Sequence, residues 1–111
     1  MALISNLAID QGTTYSVTIQ VQDETGSARN ITGYTGRAQL RRSYYTNTNT
    51  AFSVDILNPT EGEIILSLTS NQTTSLKAGR YVYDVELVSN ATSSVERIVE
   101  GIITIYPEVT K

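Results

Sequence analysis

The sequence predicts an all-β fold, two antiparallel sheets stacked as a sandwich of seven to eight strands, in a single domain spanning residues 1–111. Three observations carry this. Apolar residues alternate with polar ones at a period of two along most of the chain, the pattern of strands with one buried face. Short turn signals such as Asp10-Gln11-Gly12, Asp23-Glu24-Thr25-Gly26 and Asn58-Pro59-Thr60-Glu61-Gly62 separate these stretches. Support for helix is confined to at most one short turn around residues 70–76. A chain of 111 residues can sustain one core, since a domain of this size removes roughly two-thirds of its unfolded surface from water.

A first strand is expected from about Leu3 to Ile9. The second puts Tyr15, Val17, Ile19 and Val21 inward and Ser16, Thr18, Gln20 and Gln22 outward. Asn30-Ile31-Thr32-Gly33-Tyr34 reads as a tight bend into a third strand, with Ala38 and Leu40 inward and Arg37, Gln39 and Arg41 outward. Residues 44–50 are polar and uniform, as an exposed loop or hairpin tip would be. Phe52, Val54 and Ile56 alternate with polar neighbours, and the Pro-containing turn returns the chain into Ile64, Leu66 and Leu68. Thr69 or Ser70 can cap a single helical turn that Gly79 stops. A last long strand, Val95 to Tyr106, ends at Pro107.

Between that turn and the last strand lies the most informative segment, Leu76 to Leu87. Gly79 can adopt the positive φ of a tight corner. After it Tyr81, Tyr83, Val85 and Leu87 alternate against Arg80, Asp84 and Glu86. A tyrosine just past such a corner resembles the tyrosine corner of immunoglobulin-like sandwiches, whose hydroxyl bonds back to the chain upstream, so Gly79 and Tyr81 are read as the structural corner. The cysteine of antibody domains is absent two residues later, where Tyr83 stands. The match is therefore to disulfide-free sandwiches of the immunoglobulin-like class.

Composition removes whole classes of function. There is no cysteine and no histidine, hence no disulfide staple, no thiolate metal site and no imidazole base or ligand. A formal net charge of -3, with eight basic residues against eleven acidic ones, argues against a nucleic-acid partner, which calls for a basic field. The apolar runs fall far short of the roughly 20 residues of a membrane span, and Met1 to Asn6 lack the basic region of a secretory signal, which points to folding in a cytoplasm. The scattered carboxylates form no calcium loop and no Gly-rich phosphate loop is present. No catalytic, cofactor-binding or metal-binding residue is assigned, and no enzyme activity is expected.

The surfaces offer interaction residues instead. Val82 and Val88, with Ile98 and Ile102, would form an apolar stripe on a face otherwise open to water, a mark of a partner interface. The alternative is a bulge at Gly101 that shifts the register and buries part of the stripe. Arg37 and Arg41 are expected to pair across strands with Asp84 and Glu86, in preference to forming an anion site with Arg42. Tyr44 and Tyr45 at a loop edge would either dock on a neighbour or stack on a sugar ring.

Taken together, Asn6-Leu7-Ala8-Ile9-Asp10-Gln11-Gly12, Asn30-Ile31-Thr32-Gly33-Tyr34, Arg41-Arg42-Ser43-Tyr44, Leu76 to Asp84 and Val99-Glu100-Gly101 resemble small β-sandwich structural proteins of tailed phages. The pattern is most similar to those of cyanobacterial phages, and more distantly to the amino-terminal domain of phage baseplate upper proteins. The resemblance implies a non-enzymatic building block of the virion, made in the host cytoplasm: a tail, baseplate or neck component, or a capsid decoration protein. Its partners would be other virion proteins and copies of itself, with the first and last strands available as sheet edges. The alternative is a carbohydrate-binding module that attaches a particle to a host glycan through Tyr44 and Tyr45.

Overall fold

The computed structural model describes residues 3–43 and 49–109. Its strands are β1 (Leu3–Ile4), β2 (Leu7–Asp10), β3 (Tyr15–Gln20), β4 (Tyr34–Arg41), β5 (Thr50–Ala51), β6 (Ser53–Asn58), β7 (Glu63–Leu68), β8 (Gly79–Ser89) and β9 (Val95–Tyr106). One short helix, α1 (Ser70–Ser75), and a 3-10 turn, Pro59–Glu61, complete the elements. β1 and β2 both pair with β9, which continues through β8 and β4 to β5, while β3, β7 and β6 form the opposing sheet. This is the expected immunoglobulin-like sandwich, with two short strands, β1 and β5, beyond the longer ones anticipated.

The inward alternation holds. Ile19, Ile64, Leu66 and Leu68 from the smaller sheet, with Val21 just beyond β3, meet Leu40, Tyr83, Val85, Leu87, Val99 and Ile103 from the larger one, all buried in one cluster. α1 lies where residues 70–76 allow it. Thr69 caps it by accepting from Gln72 N at 3.2 Å, while Gln72 Oε1 accepts from Thr69 N at 2.9 Å, a reciprocal capping box. Its buried Thr73 donates to Thr13 O at 2.8 Å, fastening the helix to the start of β3.

The corner forms as read. Gly79 has φ +133°, and the Tyr81 hydroxyl donates to Lys77 O at 2.8 Å, pinning the crossover from the smaller sheet into β8.

Three details depart from the sequence reading. The first strand is broken at Ser5-Asn6, and both halves run parallel to β9 instead of antiparallel. Consequently β9 lies inside its sheet, between these halves and β8, and is no edge. The register shift in β9 falls at Ile98, since Val85 faces Val99 and Glu86 faces Arg97. Gly101 stays in register opposite Tyr83, and its lack of a side chain serves a different purpose: a Cβ there would sit 2.2 Å from the carbonyl oxygen of Ser5.

Candidate interaction surface

The outer face of the larger sheet is built by three antiparallel strands, in register except for the bulge at Ile98. Across β4, β8 and β9 the outward rows are Arg41, Val82 and Ile102; Gln39, Asp84 and Glu100; Arg37, Glu86 and Arg97; and Thr35, Val88 and Val95. The two middle rows are charged and tied together. Arg37 Nε lies 2.8 Å from Glu86 Oε1, and Arg97 reaches both Asp84 at 3.2 Å and Glu100 at 3.3 Å. Partial burial, reinforced by the neighbouring Glu86, pushes the Asp84 carboxyl above its ordinary range despite Arg97. Such half-exposed pairs contribute about 1 kcal/mol or less each. They set register and exclude wrong partners more than they stabilise.

Apolar residues flank this charged band at both ends. At one end Ile102 is 42% exposed and directly opposite the half-buried Val82, and Ile4, 71% exposed, stands on β1 opposite Glu100 in the adjoining row. At the other end Val88 faces Val95, itself half exposed. The predicted stripe is therefore two apolar patches separated by ion pairs. Ile98 belongs to neither. As the extra residue of the bulge it turns inward beside Val99 and is 7% exposed, so it is a core residue. Ile4 and Val95 were missed because the patterning of short or terminal strands does not show which neighbours will cover them.

The three arginines considered as an anion site do not converge. Arg37 is engaged by Glu86, Arg41 donates to Gln39 Oε1 at 3.1 Å, and the Arg42 guanidinium stacks 5.0 Å from the Tyr81 ring centre. Tyr44 and Tyr45 lie outside the described residues.

A second feature was not legible in the sequence. Arg29 and Glu96, 67 positions apart, form a two-pronged pair, Nη1 to Oε2 at 2.7 Å and Nη2 to Oε1 at 3.0 Å. The Arg29 hydrogen bonds hold the Glu96 carboxyl below its usual range. Both side chains line a gap of about 290 Å3, together with Leu3, Gln20, Val21 and Ile98. Among the described residues no group of three or more acidic side chains gathers closely enough to hold a metal ion. No helix among them is long and apolar enough to cross a membrane.

No family model matches the chain, and no curated protein matches it. Solved structures do. The N-terminal domain of phage TP901-1 ORF48 superposes with a TM-score of 0.63 at 10% identity, over 91% of this chain and 84% of that one. Listeria monocytogenes InlP gives a TM-score of 0.50 at 16% identity over 92% of this chain, which spans only 26% of that larger protein. At these identities the shared property is the fold, and the chain has the β-sandwich fold of a phage protein domain.

Proposed function

We propose that the chain is a non-enzymatic structural module of a tailed-phage particle, a building block of the tail, baseplate or neck or a decoration of the capsid, which works through contacts with other virion proteins. The observation that carries this reading is the match to the phage ORF48 domain along nearly the whole of both chains. The outer face of the larger sheet supports it. The patch of Val82, Ile102 and Ile4 can supply apolar contact area to a partner, and the band of fixed ion pairs beside it can set the partner's orientation. A module used in many copies needs only modest contacts, because each is reinforced by its neighbours.

The test is direct. Particles purified from cells that express the chain should contain it, by mass spectrometry, in stoichiometric amounts, and Ile102→Asp and Val82→Asp should be depleted from them while remaining folded by circular dichroism. Absence of the wild-type chain from particles would overturn the reading. Normal incorporation of both variants would remove this face from it.

A further inference from the structure

Of the strand edges among the described residues, one is unguarded. β5 is only two residues long. β6 carries Asp55, a register shift between Ile56 and Asn58, and Pro59 directly after it. The β1–β2 edge is broken at Ser5-Asn6 and carries Asp10. These are the devices by which sheets avoid pairing at their margins. β3 has none of them. Tyr15-Ser16-Val17-Thr18-Ile19-Gln20 runs six residues in unbroken register with β7, without a charge, a proline or a glycine.

The free side of this strand is ready to bond. Val21 N donates to Gly62 O at 2.8 Å. In an antiparallel ladder, hydrogen-bonded pairs alternate along the strand. The odd-numbered residues of β3 therefore bond toward β7, and Ser16, Thr18 and Gln20 direct their N–H and C=O groups away from it. Among the described residues no strand pairs there. The inward side chains show the same vacancy: Tyr15 and Val17 are only half buried, whereas their cross-strand partners Leu68 and Leu66 are 1% and 0% exposed. Gln20, at the end of this edge, lines the gap described above together with Leu3, which is 56% exposed.

We propose that β3 pairs antiparallel with β3 of a second copy of this chain, joining two three-stranded sheets into one of six strands. Charge selects this occupant. An isologous contact sets the same strand on both sides of the axis, so a strand with a net charge would repel its copy, and β3 is neutral throughout. The bonding parity restricts the register, because even-numbered residues must face even-numbered ones. With the two-fold axis at Thr18, one of the registers this allows, Thr18 faces Thr18, Ser16 faces Gln20 of the second copy, and Val17 faces its Ile19 on the core side. The inference does not depend on the chain belonging to a phage particle.

Light scattering and sedimentation equilibrium on the purified chain test it. The wild type should show twice the chain mass. Thr18 is exposed, so Thr18→Lys and Thr18→Glu should each fold normally by circular dichroism yet self-associate at least tenfold more weakly. Mixing the two in equal amounts should restore the doubled mass, because opposite charges now meet across the axis. A wild type that stays monomeric at millimolar concentration overturns the pairing and leaves the edge to a strand from a different chain. Single variants that dimerise as tightly as the wild type overturn it too.

Discussion

The hydroxyl of Tyr83 donates to the carbonyl of Ser5, and that same carbonyl is the atom a Cβ on Gly101 would strike. Asn6 completes the junction by accepting from Ile102 N at 3.0 Å through its side-chain oxygen, while Ser5 N donates to Glu100 O at 2.9 Å. The break between β1 and β2 is thus a satisfied joint in which side chains take over the missing ladder bonds. Tyr83→Phe, which leaves Ser5 O without its donor, should lower the unfolding free energy by about 1–3 kcal/mol. Gly101→Ala, which must push backbone aside, should cost about 1–3 kcal/mol. Urea denaturation of each variant measures both.

Tyr81→Phe removes the corner hydrogen bond to Lys77 O but keeps the ring beneath Arg42. A loss of about 1 kcal/mol is expected. Arg42→Ala, which removes the stacked cation instead, should cost about 0.5–1 kcal/mol. Thermal unfolding of the two single variants and the double variant separates the contributions.

Ile98 and Ile102 give opposite outcomes with the same substitution. Ile98→Asp buries a charge beside Val99 and should destabilise by about 4 kcal/mol or more, leaving little folded protein. Ile102→Asp, on the wet face, should change stability by about 0.5 kcal/mol or less. Denaturation midpoints that fail to separate these two variants would refute the placement of the bulge.

The same pair shows how far the sequence could be read. Alternation assigned the inward faces of β3, β4, β6, β7 and β8, because each strand keeps strict period two through its buried stretch. In β9 it failed at Ile98, where the unpaired residue turns inward while Ile102 beyond it keeps the outward face expected; the cause, the pairing of β9 with β8, is a relation between strands that no single window contains. The corner at Gly79 and Tyr81 was legible because its geometry is local, spanning four residues from Lys77. The Arg29–Glu96 pair and the Tyr83–Ser5 bond were not, since their partners lie 67 and 78 positions apart. The candidate face was recovered at Val82, Val88 and Ile102. Ile4 and Val95 joined it only once the sheet order was known.

Two carboxylates should give the stability curve opposing slopes in acid. Hydrogen bonds from Arg29 depress Glu96, so its contribution is complete above the ordinary carboxylate value of 4.5 and is lost as pH falls through the lower folded value. Asp84 is raised, chiefly by burial, so the folded chain holds that proton more tightly than the unfolded one and stability falls as pH rises through its window from 3.8 upward. Glu96→Gln should therefore cost about 1 kcal/mol or less at pH 7 and almost nothing near pH 2. Asp84→Asn should raise stability relative to the wild type at pH 7 and lose that advantage in acid. Urea midpoints across this range give both signs.

The parallel docking of β1 and β2 onto β9 has a consequence for how the molecule folds. Leu3 pairs with Val99 and Asp10 with Tyr106, so β1 and β2 find their place only once β9 is laid down. Until then Ile9 is uncovered, and the larger sheet cannot close from neighbouring segments alone. Loop closure over so many residues is slow, which makes the docking of β1 and β2 a late step on the folding route.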